Sequence, residues 1–188
     1  MASASQICEF GRPAPDFALP DVDGKVWRLA ELRGPTGTLV MFLANHCPYV
    51  KGLIDRLVVQ VDELRRLGVG AAAIMSNDTA AYPEDSLDNM KRFAAEHRFG
   101  FPYLLDESQA IARAYGASFT PEFFGYNRDL RLQYHGRFDD AGMKRGAAAG
   151  GTGRRQELLD AMRQIVSSGD GPREQVAGHG CSIKWHPS

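Results

Sequence analysis

The chain has 188 residues, 44% hydrophobic and 24% charged, with 22 basic side chains against 23 acidic ones and a net charge of −1. That length sustains one sizeable core, and the balanced charge offers no basic face for nucleic acid or a lipid surface. Mean hydropathy is −0.31, and no apolar run is long enough for a membrane-spanning helix. The opening stretch Met1-Ala-Ser-Ala-Ser-Gln-Ile-Cys8 has neither a basic region nor an apolar run, so no signal peptide and a cytoplasmic location are expected.

In chain order, Asp16–Leu19 and Val26–Leu29 flank Asp23-Gly24 and predict a hairpin. One helical turn is expected over Ala30–Arg33, before Gly34-Pro35. Thr38–Ala44 is the first core strand. From Pro48, apolar residues recur through Leu67 at helical spacing and predict one long helix closed by Gly68. Gly70–Met75 is a second buried strand, Ser86–Arg98 a helix, Pro102–Leu105 a short strand and Ser108–Tyr115 another helix. Glu122–Tyr126 and Leu130–His135 form a hairpin. Residues 139–153, rich in Gly and Ala, are expected to be a mobile loop, and Leu158, Leu159, Met162, Ile165 and Val166 mark a last helix. The order predicts an α/β fold: a mixed central sheet with helices on both faces, an N-terminal β-hairpin extension and a C-terminal tail. The expected domain is 1–168, and the tail is 169–188.

Three cysteines, Cys8, Cys47 and Cys181, are too few and too scattered for a secreted disulfide framework. Cys47 stands where the first core strand hands over to a helix opening at Pro48. A helix N-terminus presents unpaired N–H groups and partial positive charge, and both favour a thiolate over a thiol of ordinary pKa, about 8.5. The competing reading of Cys47 is an inert core cysteine. His46 is either a base or cation beside that sulfur or a solvent-facing turn residue.

The run Asn45-His-Cys-Pro-Tyr-Val-Lys51 resembles the signature of the peroxiredoxin-like proteins of the thioredoxin family, in the alkyl hydroperoxide reductase and thiol-specific antioxidant group. Supporting pieces are Ala14-Pro-Asp-Phe17, Asp21-Val-Asp-Gly-Lys25, Ser76-Asn-Asp78, Tyr82-Pro-Glu-Asp-Ser86, Phe101-Pro-Tyr-Leu104, Thr120-Pro-Glu-Phe-Phe124 and Gly180-Cys-Ser-Ile-Lys-Trp185. The resemblance implies a thioredoxin fold across nearly the whole chain. It also implies a cis bond at Thr120-Pro121, in a loop that faces the reactive cysteine and exposes backbone groups for a substrate strand. Four positions depart from the family patterns. Val50 stands at the second cysteine of a dithiol motif, Val40 and Ala44 replace the peroxidase proline and threonine, and Phe119 stands where a cysteine often precedes Thr-Pro.

Cys181, flanked by Gly180 on a tail expected to be flexible, is suited to reach Cys47 and resolve a sulfenate or mixed disulfide; otherwise it is a packed tail cysteine. Cys8 is expected in a frayed terminus; Arg137 either places a guanidinium near the thiolate or a peroxide oxygen or, the favoured reading, pairs at the surface with Asp139 or Asp140. Lys51 is expected to be solvated, and Phe42, Phe93, Phe123 and Tyr126 to be core. His46, Cys47, His179, Cys181 and His186 lack the spacing of a metal site. The expected activity is that of a thiol-dependent oxidoreductase needing no cofactor. Cys47 would attack a peroxide or a disulfide, and Cys181 or an external thiol reductant would complete the cycle, with Thr120 and Pro121 facing the sulfur. A redox sensor or binding module with little turnover, and a metal carrier, are the alternatives. Nucleic acid and membrane are not expected as partners, and homo-oligomerisation is left open.

Overall fold

In the computed structural model, residues 2–4, 8–141 and 155–188 are described; most of the expected 139–153 loop therefore lies outside them. The strands are β1 (Ala2–Ala4), β2 (Ala18–Pro20), β3 (Val26–Arg28), β4 (Gly37–Phe42), β5 (Val69–Met75), β6 (Tyr103–Leu105), β7 (Phe119–Thr120), β8 (Glu122–Asn127), β9 (Leu132–Tyr134) and β10 (His179–Ser182). The helices are α1 (Leu29–Leu32), α2 (Pro48–Lys51), α3 (Ile54–Arg66), α4 (Leu87–Glu96), α5 (Ala110–Tyr115) and α6 (Glu157–Ser168).

The central sheet runs β6-β5-β4-β8-β9. β4, β5 and β6 are parallel, while β8 and β9 run antiparallel to them. Period-two alternation sorts the central strands between two cores. Leu39, Met41, Ala71, Ala73, Met75 and Phe123 face the side covered by α3, α4 and α6. Val40, Phe42, Ala72, Ile74, Phe124 and Tyr126 face Phe17, Leu29 and Leu32 and helix α5. A strand buried on both faces must be apolar throughout, as Leu39–Phe42 is. Helix α3 buries Ile54, Leu57, Val58, Val61 and Leu64 on one stripe, and each fully buried aliphatic side chain contributes about 2 kcal/mol. The expected core aromatics Phe42, Phe93, Phe123 and Tyr126 are all buried. The β2–β3 hairpin turns at Gly24, whose φ of 84° suits a residue without Cβ.

Three expectations need correction. The helix after Cys47 is broken at Gly52: α2 is a single turn, and α3 restarts after Leu53, whose φ is −128°. The partial positive charge at Cys47 is therefore that of one helical turn. Residues 169–188 are not a free arm. β10 pairs with β7, setting Cys181 opposite Thr120 and Ser182 opposite Phe119, and its other edge pairs with β1. From Cys8 onward the N-terminal segment is not frayed either. Gly11 and Ala14 donate backbone N–H groups to Leu132 and Leu130, and Cys8 is half-buried against the second core.

Candidate active site

The two residues before Cys47 are clamped by one neighbouring segment, the 3-10 turn Pro83–Asp85. Asn45 donates its amide to Glu84 O at 3.2 Å and accepts the buried Tyr103 hydroxyl at 2.7 Å. His46 donates its backbone N–H to Asp85 Oδ1 at 3.2 Å, and its Nδ1 lies 2.5 Å from Asp85 Oδ2. The His46 ring stacks on Tyr82, with centroids 5.8 Å apart. Asp85 is fully buried and also accepts the Asn77 amide at 2.9 Å. A carboxylate taken out of water needs such partners, and here they fix the turn that delivers Cys47. His46 is thus not free in solvent, and its Nδ1 is engaged by Asp85.

Cys47 is the residue before α2, with Pro48 in the first helical position, and it is 1% exposed. Helix geometry leaves the N–H groups of Tyr49 and Val50 without intrahelical acceptors. The Thr120–Pro121 peptide is cis, and Cys47 Sγ lies 3.3 Å from Thr120 O, in position to donate its S–H. Cys181 stands opposite Thr120, packs against the same apolar cluster as Cys47 and interacts with the Cys47 thiol. Burial, then the hydrogen bond and charge of Cys47, push the Cys181 thiol up to about 11. All three cysteines are unbridged. The structure thus brings Cys47, Cys181, Thr120 and Pro121 together, with His46 held beside them by Asp85.

The loop carrying Thr120 is held from below by Glu122, whose side chain is 2% exposed. Glu122 Oε2 accepts the N–H groups of Ser118 at 2.8 Å and Phe119 at 3.3 Å, and Oε1 lies 2.7 Å from His135 Nε2. His135 in turn stacks on Phe124, with centroids 4.4 Å apart. The C-terminal segment is anchored by the motif at 76–78. Lys184 donates its N–H to Asn77 Oδ1 at 2.9 Å and accepts the Asp78 N–H at 2.8 Å. Gln109 donates to Lys184 O and accepts the His186 N–H, both at 2.8 Å, and Arg113 stacks over Trp185 at 4.4 Å.

Beside the site, Tyr49, Leu53, Pro121, Phe123, Phe138 and His179 line a groove with a cavity of about 40 Å³. Arg137 borders it but pairs with Glu157, at 2.5 Å, rather than with Asp139 or Asp140. Asp139 instead pairs with Arg56 of α3, which lies over the Phe138 ring. Lys51 is exposed. Cys8, on the opposite core, has its thiol pushed up to about 11 by burial and is remote in the fold from Cys47. Among the described residues, no three His, Cys, Asp or Glu side chains converge as a metal site. His46 and His186 are engaged by Asp85 and Asp78.

Sequence reasoning gave no role to Asp85, Tyr103, Asn77, Gln109, Glu122 or His135. The available signal was polarity in apolar surroundings. Glu122 opens the strand Glu122-Phe-Phe-Gly-Tyr126, and a carboxylate in such a strand is retained only with dedicated partners. Residues 10–142 match the family model described as AhpC/TSA family. The chain is 27% identical over 130 residues to the thiol-disulfide oxidoreductase ResA of Geobacillus thermodenitrificans, covering 65% of this chain and 66% of that protein, just under two thirds of its length. It is 29% identical over 126 residues to peroxiredoxin Bcp of Escherichia coli K12, covering 63% of this chain and 71% of that one. A crystal structure of an uncharacterized conserved protein from Geobacillus kaustophilus superposes with a TM-score of 0.91 at 40% identity, covering 100% of this chain and 98% of that one. With a family match over most of its length and a thioredoxin-fold sheet around Cys47, the chain belongs to the AhpC/TSA family as a peroxiredoxin-like protein.

Proposed function

We propose that this protein is a thiol-dependent oxidoreductase running a two-cysteine cycle, with Cys47 as the attacking sulfur and Cys181 as the resolving one. The observation that carries the reading is the placement of Cys181, fixed by strand pairing opposite Thr120, whose carbonyl faces the Cys47 sulfur, and packed on the cluster that holds Cys47. In the oxidative half, the Cys47 thiolate attacks the terminal oxygen of a peroxide. The O–O bond breaks, the alkoxide or hydroxide leaves and takes up a proton, and the sulfur is oxidised by two electrons to a sulfenic acid. The Cys181 sulfur then attacks that sulfur, water leaves, and a Cys47–Cys181 disulfide forms. In the reductive half, an external thiol reductant attacks the more accessible Cys181 sulfur and Cys47 leaves as thiolate. A second reductant thiol then attacks the mixed disulfide, releasing Cys181 and the oxidised reductant.

Ala44 supplies no hydroxyl to orient the peroxide. Loss of one such preorganised donor costs about a hundredfold or more in rate, so turnover is slow for a peroxidase. Val50 leaves no local second thiol, which makes Cys181 the partner within the chain. The relatives' names support peroxide or disulfide as oxidant and a thiol as reductant. An antioxidant role and a reducing, cytoplasmic setting belong to this proposal. Among the described residues no helix is long and apolar enough to cross a membrane.

The test is mass mapping of the reduced protein after one equivalent of hydrogen peroxide. A Cys47–Cys181 bridge within the monomer is expected, replaced in a Cys181→Ser variant by a Cys47 sulfenic acid trappable with dimedone. A stable sulfenic acid in the unaltered protein refutes the resolving role, and an unoxidised Cys47 refutes the reading as a whole.

A further inference from the structure

We propose that strand β10 is the protein's own occupant of the edge along which a polypeptide substrate would pair, so that Cys47 accepts oxidants of low molecular weight and excludes protein disulfides. The inference rests on Cys47 being the attacking thiol. Disulfide exchange on a polypeptide requires its chain to lie against the site, and an open strand edge supplies the backbone N–H and C=O groups for that. Here both residues of β7 are already paired, Thr120 with Cys181 and Phe119 with Ser182, and the Ile183 N–H takes Ser118 O at 2.9 Å. The outer edge of β10 is taken in turn by β1. Among the described residues, the edge of β7 that carries these pairings is therefore already occupied by the chain itself.

β10 is fitted to this place. A Cβ on Gly180 would lie 2.0 Å from Thr120 O and 2.7 Å from its carbonyl carbon, so only glycine lets the strand approach the carbonyl that faces Cys47. The strand is held at its far end by Asn77, Asp78 and Gln109 rather than resting on the surface. Cys181 thereby takes the place that a substrate cysteine would occupy in a mixed disulfide. What remains is the groove beside Tyr49 and Pro121, whose cavity of about 40 Å³ is lined by His179 of the same strand. One water needs roughly 10–15 Å³ of such space, so the groove has room for a peroxide group or a few waters.

The experiment compares one chemistry at two sizes. Reduced full-length protein is mixed with oxidised glutathione, with insulin as the protein disulfide, and with hydrogen peroxide, and Cys47 oxidation is followed by quenched alkylation and mass spectrometry. Oxidised glutathione is expected to react more than tenfold faster than insulin. A Gly180→Ala variant, which pushes β10 off Thr120, and a Gln109→Ala variant, which loosens the strand from outside the site, are each expected to narrow that ratio at least threefold. Raised hydrogen exchange at residues 179–183 checks that the strand is loosened. A ratio of tenfold or less in the unaltered protein overturns the proposal while leaving Cys47 as the attacking thiol. So does an unchanged ratio in both variants when exchange is raised. A Cys47 inert to all three oxidants overturns the underlying reading and the proposal with it.

Discussion

Replacing Glu122 tests whether the loop that accepts the Cys47 thiol is held by a buried carboxylate. In Glu122→Ala the two N–H groups of Ser118 and Phe119 and the His135 ring lose their acceptor, in a place where Glu122 is 2% and Phe119 0% exposed. One orphaned buried donor costs about 1–3 kcal/mol, and three donors lose their acceptor here. The three losses share one site and partly relax together, so about 4 kcal/mol is expected in total. That is a large part of the roughly 5–15 kcal/mol that holds a domain folded. Glu122→Gln keeps the shape and a carbonyl acceptor for both N–H groups, so about 1–2 kcal/mol is expected. Urea denaturation of the reduced proteins measures both. In folded Glu122→Ala, peroxide-driven Cys47–Cys181 bridging is expected to slow by more than tenfold, with Glu122→Gln close to the unaltered protein. A Glu122→Ala variant within about 1 kcal/mol of the unaltered protein refutes the reasoning, because an unpartnered buried donor cannot cost so little.

Asp85→Ala is expected to cost about 3 kcal/mol, since it strips His46 and Asn77 of a fully buried acceptor, and to slow Cys47 alkylation because the turn before it loses its clamp; thermal unfolding and iodoacetamide kinetics check this. Tyr103→Phe leaves Asn45 Oδ1 without its 2.7 Å donor and is expected to cost about 1–2 kcal/mol in urea denaturation. Cys8 and Cys181 each bind their proton more tightly folded than unfolded, with thiols pushed up to about 11. Their contribution to stability is complete below the unfolded thiol pKa of about 8.5 and is lost as pH rises towards 11. The reduced protein is therefore expected to lose stability through that window, with a shallower fall in Cys8→Ser, measured by urea midpoints at stepped pH. Bridging Cys47 to Cys181 closes a loop of more than 100 residues, worth up to about 5 kcal/mol on chain-entropy grounds, so the oxidised protein is expected to have the higher urea midpoint.

The sheet and its helices were legible because period-two and period-3.6 patterns report burial directly. Leu39–Phe42 reads as a strand buried on both faces, and Ile54, Leu57, Val61 and Leu64 read as one helical stripe, which is how they pack. Gly52 was the weak point. A helix-disfavouring residue inside a strong apolar pattern does not announce whether the helix breaks, because packing of the stripe decides it. Glu122 and Asp85 were visible as polar residues near apolar strands, but their partners lie on other elements, and a hydrogen bond between distant residues leaves no local spacing.

By itself, the sequence determined the chemistry available: one thiol at a strand–helix junction, no dithiol neighbour at Val50, no hydroxyl at Ala44, and a second thiol far along the chain at Cys181. These follow from residue identity, which needs no geometry. Only the tertiary structure decided where Cys181 stands and what its strand excludes. Residues 179–182 are short, polar and glycine-containing, and alone they have no reason to be extended. They become a strand because β7 offers unpaired backbone groups beside Thr120, Gly180 fits against that carbonyl, and Asn77 and Gln109 hold the chain beyond it. Proximity of two sulfurs 134 positions apart is a property of that pairing, and no local pattern in the chain encodes it.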